Sequence, residues 1–415
     1  MVNLFYMEGA ERSTMSRSPK LREQKKGGPM QTRNQERTIK KRWSSYLTRR
    51  GALALFVAML ACALCSCSAG QNSSQSQGDA AKSADKVQIV DMAGRQVNVP
   101  AHPKSVIGVG VSSLRAICYL QAQDKVVGVE AAERKDMPVC VYRHAFHDKF
   151  ANLPVIGESG SNGTTPNEEA IANLAPDVIF TTIDKEKADT LQQRTGVPVV
   201  CVAVYNRVFS DSFYKSIELM GKVLNKDKRA TEIIDYMKKT EADLTSRVKN
   251  VTPKTAYAAG ISYRGGHGFA GTEAGFPPFA ILDMKNIADV NDRKGPYDID
   301  LEKVSADQPD CIFIESNNFK MVEKDIQQNP DYFKNLKAVQ NKQVFSLVSY
   351  RFCATNVELA IANCYQVGHC AYPEAFGDID PTKKLDEITS FFVGKPVSAD
   401  LAKIGCSFKK YDLAA

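Results

Sequence analysis

Tryptophan is almost missing from this chain of 415 residues; the single one, Trp43, stands in the first 50 positions. Histidine is scarce as well, with five in all, and no Cys-x-x-Cys spacing occurs among the eight cysteines beyond residue 67. The chain has no Gly-x-Ser-x-Gly, no His-Glu-x-x-His and no close acid–base pair, which removes the usual signatures of a hydrolase. The glycine-rich stretch RGGHGFAGTEAG (264–275) lacks the Gly-Lys-Ser/Thr ending of a phosphate loop. The chain also lacks an apolar run long enough for a transmembrane helix: the 14 residues GALALFVAMLACAL (51–64) fall short of the roughly 20 required. An excess of positive charge is absent from the body. Of 54 Lys/Arg and 47 Asp/Glu, 13 and four lie in the first 50 residues, leaving 41 basic against 43 acidic groups beyond. The basic balance therefore belongs to the leader, and nucleic-acid binding is not indicated.

What is present begins with the leader. Basic KKRWSSYLTRR (40–50), the apolar stretch and then small residues are the three parts of a secretory signal. Arg49-Arg50 is compatible with general or twin-arginine export. Leu64-Cys65-Ser66-Cys67 resembles the bacterial lipobox, which implies cleavage before Cys67 and lipidation of its thiol. Residues 1–66 thus read as an N-terminal extension with a signal peptide, and 67–86 as a lipidated cysteine with a flexible linker, because SAGQNSSQSQGDAAKSADK offers too little apolar surface to fold. Eight cysteines remain beyond the lipobox; in apolar settings such as PDCIFI they read as small buried hydrophobes, although extracytoplasmic location would permit disulfides.

From residue 87 the pattern alternates. VQIVDMAGRQVNVP carries a hairpin signal, and SVIGVGV, KVVGVE, DVIFTT and PVVCVAV are short apolar strands separated by helical patterns, as in parallel sheets covered on both faces. Positions 210–250 show only helical spacing, predicting a helix of unusual length with a candidate break at Asn225-Lys226-Asp227; strands resume at KTAYAAGIS. This divides the chain into an N-terminal α/β lobe (87–209), a long interlobe helix (210–250) and a C-terminal α/β lobe with terminal helices (251–415). Two phrases straddle the helix: EEAIANLAPDVIF (168–180) and LEKVSADQPDCIF (301–313). Counted from Asn167 and Asp300 as N-caps, Glu lies two residues on, Ile or Val four, Pro-Asp nine and ten, Ile-Phe twelve and thirteen. The cap accepts a backbone N–H, the Glu favours the helix dipole, Pro-Asp ends the helix and the apolar triplet starts a central strand. Matched so closely, the copies predict related helix–strand units in two lobes.

The sequence resembles the substrate-binding proteins of bacterial ABC importers for iron-siderophore, haem and cobalamin. The resemblance rests on VDMAGRQVNVPAHPKSVIGVG, LPVIGES…TPNEEAIANLAPDVIF, LQQRTGVPVV, the long helix and the tail NVELAIANCYQVGHCAYPEAFGDID, and covers residues 87–395. It implies two doubly wound α/β lobes joined by one long backbone helix, a cleft for cargo and no catalysis. It further implies a monomer with no cofactor of its own, anchored by lipid to the outside of the cell membrane and partnered by an ABC permease. Its cargo would be an iron chelate, a siderophore or haem; a corrinoid, a molybdate-like oxyanion and a bare metal ion remain open, as does a chelatase-like enzyme. Carried over by motif, Glu169 and Glu302 would meet arginines of the permease, although a Glu in a first helical turn is also stabilising without a partner.

Ligand contacts are expected from loops at strand ends: GVGVSS (108–113), GESGSNGTTPN (157–167) and SYRGGHGFAGTEAGF (262–276). Ser112 stands in the first, and Tyr263, Arg264 and His267 in the third. The Tyr-Arg pairing recurs at Tyr142-Arg143 and Tyr350-Arg351. Guanidinium forks suit carboxylates and oxyanions, and phenols pack on flat chelates. The His144/His147 spacing is a weak metal signal without an accompanying carboxylate, so no metal site is assigned.

Overall fold

The computed structural model describes residues 85–413 except 161–162, 205–206 and 353. The leader, Cys67 and most of the linker lie outside the described residues. The period-two stretch after the linker closes into a hairpin of β1 (Lys86–Val90) and β2 (Gln96–Pro100), with Ile89 opposite Val97. Gly94 takes a φ of 75° in its turn.

Next come β3 (Val106–Val109), β4 (Val126–Gly128), a hairpin of β5 (Gly157–Gly160) and β6 (Gly163–Pro166), β7 (Val178–Thr181) and β8 (Val199–Cys201). β3, β4, β7 and β8 form one parallel sheet in the order β4-β3-β7-β8. Every residue of β3, β7 and β8 is buried, which explains their unbroken apolar character: alternate side chains face opposite layers and neither layer meets water. Ile107, Ile179 and Val199 pack beneath one set of helices, while Val106, Val178, Phe180 and Val200 face the interior.

The second lobe repeats the design. β9 (Thr255–Ala259), β10 (Gly271–Ala274), β11 (Lys285–Asn286), β12 (Gly295–Asp298), β13 (Cys311–Glu315) and β14 (Val344–Leu347) give a parallel sheet β11-β9-β13-β14 and an antiparallel pair β10-β12. Leaving the hairpin strands aside, both sheets run in the spatial order second, first, third, fourth. The two copies of the repeated phrase form the helices Glu168–Leu174 and Leu301–Asp307 and feed the third strand of each sheet. Their details agree. Asn167 accepts from the Ala170 N–H at 3.0 Å and Asp300 from that of Glu302 at 2.9 Å. The helices end at left-handed Ala175 (φ 45°) and Gln308 (φ 46°).

The Pro-Asp of each copy does more than turn the chain. Asp177 accepts the Ser105 N–H at 2.9 Å while its own N–H donates to the Ser105 hydroxyl at 3.0 Å. Asp310 accepts the Thr255 N–H at 2.9 Å and donates from its N–H to the Thr255 hydroxyl, also at 2.9 Å. In each lobe a reciprocal clamp thus ties the third strand's entry to that of the first.

Between the lobes lie two helices rather than a single rod. We number the helices used below α1 (Ser113–Tyr119), α2 (Asp211–Leu224), α3 (Asp227–Val248), α4 (Val357–Ala371) and α5 (Pro381–Val393). The break falls at Asn225, left-handed at φ 58°, and the Lys226 N–H closes the end of α2 by donating to Gly221 O at 2.7 Å. A Cβ on Gly221 would lie 2.5 Å from that of Ala230, so glycine allows α3 to fold back closely on α2. α3 alone, with 22 residues and a length of about 33 Å, runs toward the second lobe. At its start Arg229 donates to Tyr119 O at 3.0 Å, and near its end Arg247 pairs with Asp378 at 2.7 Å.

The C-terminal helices, expected with the second lobe, also return to the first. Phe392 of α5 packs on Tyr119 of α1 with ring centroids 4.8 Å apart, and Asp400 meets His144 at 2.9 Å. One apolar core runs through the interior faces of both sheets and these helices. Among the described residues the cysteines at 118, 201, 311, 364, 370 and 406 are free thiols.

Candidate functional site

In each lobe the chain leaves the first strand through a special turn. After β3, Gly110 takes φ 85° and Ser112 φ 73°; after β9, Gly260 takes φ 67°. At Gly110 a Cβ would stand 2.6 Å from the Thr182 hydroxyl, so the backbone and the Thr182 loop are in close approach. Beside them Glu130 is buried, accepting the Gly110 N–H at 2.8 Å and the Ser159 hydroxyl at 2.5 Å. Burial outweighs these bonds and pushes its carboxyl up to about 7. In the second lobe Glu315, wholly buried, accepts from Ser262 and Ser349, and burial raises its carboxyl too.

The three Tyr-Arg pairs separate by environment. Tyr142 is fully buried and donates to Glu133 at 2.8 Å, and Arg143 binds the same carboxylate at 2.5 Å. This pair, expected at the ligand, belongs to the core of the first lobe in this conformation, because the buried Glu133 requires both donors. Ser112 is likewise buried, its hydroxyl accepting from Arg115 at 3.4 Å. The second lobe has the same triad: Tyr350 donates to Glu273 at 2.7 Å, and Arg351 grips that carboxylate through Nε at 2.7 Å and through Nη2. Tyr350 is buried, and burial with Glu273 beside it pushes its phenol up. Arg351 differs from Arg143 in reaching a cavity.

That cavity, of about 670 Å³, has as its charged lining Arg351, Glu273, Arg293, Lys294, Asp289 and Asp292 of the second lobe and Arg207 of the first. Four cations meet three carboxylates there, of which Glu273 is engaged by Arg351 and Asp289 by the Gly275 N–H and the Asn286 amide. Because Glu273 holds the Nε–Nη2 edge, the Nη1 end of Arg351 is the part left to face a ligand.

At the third loop Tyr263 stacks on His267 with ring centroids 3.7 Å apart and planes 10° from parallel. Both ring nitrogens of His267 have oxygen partners, Asp298 at 3.0 Å and Tyr263 O at 2.9 Å. Arg264 is exposed with φ 49°. His144 is similarly occupied, by Asp136 at 2.7 Å and Asp400 at 2.9 Å. Among the described residues no three His, Cys, Asp or Glu side chains are grouped to hold a metal ion.

Glu169 and Glu302 are exposed in the first turns of the two matched helices. The neighbouring Glu168 is drawn to Arg194 at 2.8 Å. Residues that sequence reasoning passed over include Arg115, fully buried on α1, which donates to Thr355 O at 3.0 Å and Phe352 O at 2.9 Å and stands 5.0 Å from the Tyr142 ring. It pins the Arg351 loop to the first lobe. Its signal was a lone arginine in an otherwise apolar helix. Glu133, Glu273, Arg207, Arg293 and Lys294 carried no such mark.

The family model for Periplasmic binding protein matches residues 118–350. Among relatives, the chain is 26% identical over 295 residues to the Fe(3+)-citrate-binding protein YfmC of Bacillus subtilis (strain 168), covering 70% of this chain and 86% of that one. It is 24% identical over 308 residues to the petrobactin-binding protein YclQ of the same organism, covering 71% and 90%. The fold is shared with the TroA-like periplasmic binding protein FepB from Veillonella parvula at a TM-score of 0.60 and 23% identity, over 78% of this chain and 99% of that one. The chain belongs to the periplasmic-binding-protein family, as the substrate-binding component of an ABC-type importer and not as an enzyme.

Proposed function

We propose that this protein is an extracytoplasmic receptor, lipid-anchored through Cys67, that binds an anionic ferric chelate in its interlobe cavity and delivers it to an ABC permease. The observation that carries the reading is the cation-lined cavity of about 670 Å³, with Arg351 fixed by Glu273 and Arg207 reaching in from the opposite lobe. Guanidinium groups offer paired N–H donors that match carboxylates, and a ferric citrate or carboxylate-bearing siderophore presents several. The relatives named for Fe(3+)-citrate and petrobactin support the same class. Tyr263, Arg264 and His267, on the loop that follows β9, would add contacts to the chelate, and Glu169 and Glu302 are the docking charges.

One set of variants separates the roles. Arg351→Gln weakens ferric citrate binding by about ten- to a hundredfold in calorimetric titration and reduces uptake with it. The double reversal Glu169→Lys/Glu302→Lys keeps that affinity and loses uptake, and Cys67→Ser releases the protein from the membrane fraction. Ferric citrate affinity unchanged by Arg351→Gln would refute the assigned cavity. Undiminished uptake in the double reversal would refute the docking charges, and membrane retention of Cys67→Ser the anchor.

A further inference from the structure

A second depression, of about 580 Å³, lies at the other end of the second lobe. Lys254 and Gln343, on its wall, immediately precede β9 and β14, so it opens at the N-terminal ends of strands whose C-terminal ends lead to the cargo cavity. Its lining brings together Lys254, Lys410 and His369, with no carboxylate among the side chains, while Lys409 contributes to the wall but carries its ammonium over the Tyr411 and Phe319 rings, 5.0 and 5.7 Å away. Carboxylates flanking it are committed elsewhere: Asp310 to Thr255 and Lys337, Asp378 to Arg247, and Asp380 to the first N–H groups of α5. Neither Lys254 nor Lys410 forms an ion pair among the described residues. Lys254 Nζ donates to one carbonyl, Ala371 O, at 2.6 Å, and Lys410 Nζ stands 5.7 Å from the Phe345 ring.

We propose that this groove is a binding site for a small phosphate ester, separate from the cargo cavity. Lysine ammoniums are compact point charges with three donors each, suited to the tetrahedral oxygens of phosphate, whereas the cargo cavity is dominated by planar guanidinium forks. Gln343, Gln366 and Thr382 add neutral hydrogen-bonding groups, and Phe345 and Phe408 give the organic part of the ester an apolar wall. The placement lets such a ligand bind with cargo in place.

Calorimetry on the full-length chain with glycerol 1-phosphate tests the site, with phosphatidylglycerol vesicles as a second arm to separate a free ester from a lipid headgroup. Saturable binding is expected, weakened about tenfold in Lys254→Gln/Lys410→Gln. It is expected to be unchanged in Lys238→Gln/Lys239→Gln, which removes the same charge from exposed positions of α3. The single Lys410→Gln, at an exposed residue, carries the test if the double variant fails to fold. Ferric citrate affinity stays at the wild-type value throughout. Absence of saturable binding, equal weakening in the α3 control, or binding to phosphatidylglycerol vesicles without binding to the soluble ester would each overturn the proposal.

Discussion

Glu130 is the residue whose environment makes the sharpest solution prediction. Its folded carboxyl is raised from the ordinary 4.5 to about 7 by burial, so between those values the folded protein holds a proton that the unfolded chain has released. Stability attributable to this group is therefore greatest below the lower value and falls as pH rises through the upper one. Glu130→Gln keeps an acceptor for the Gly110 N–H and the Ser159 hydroxyl but cannot ionise. Thermal melts should show the variant gaining on wild type from pH 4.5 to about pH 7, and parallel curves would refute the assignment. The same scale shows where sequence reading stops. Adjacent Tyr and Arg looked alike at 142–143 and 350–351, yet whether such a pair faces a ligand depends on distant elements. Glu133 claims one pair for the core, while the β10–β12 pair borders a cavity beside the other. Arg115 was visible as a charge in an apolar helix, but its acceptors, Phe352 O and Thr355 O, lie more than 230 positions away.

At the scale of elements, the repeated phrase was legible because its signals are local: a cap, a first-turn acid, a Pro-Asp stop and an apolar strand. Its deeper role was not, since the clamp joins Asp177 to Ser105 and Asp310 to Thr255 across parallel neighbours. In the second lobe burial works against Asp310, but Lys337 and Thr255 prevail and hold its carboxyl down to about 2. Its stabilising contribution is thus present above the ordinary 3.8 and is lost as pH falls through that lower value. Asp177→Ala and Asp310→Ala each strand one edge of a strand entry and should cost roughly 1–3 kcal/mol in urea unfolding. A loss under about 0.5 kcal/mol in both would show that the clamps are incidental. The break at Asn225 was also readable, from a turn-forming Asn-Lys-Asp among helix formers. That α3 folds back on α2 rests on the contact between Gly221 and Ala230, which no local pattern announces.

For the whole molecule, alternation of short apolar strands with helices was sufficient to forecast two α/β lobes, because parallel strands buried on both faces leave no polar side to their sequence. The return of α5 and the segment around Asp400 to the first lobe was hidden, since it depends on long-range packing of the tail. With the core continuous across the lobes, α3 spanning them and Arg115 holding the Arg351 loop, closure on cargo should be a small adjustment, not a wide hinge motion. The cargo must then sit where the lobes already converge. Anomalous scattering at the iron edge, from crystals of the full chain saturated with ferric citrate, locates it directly. One iron is expected between Arg207 and Arg351; an iron bound outside that cavity, or none at saturating chelate, would contradict a cargo site there.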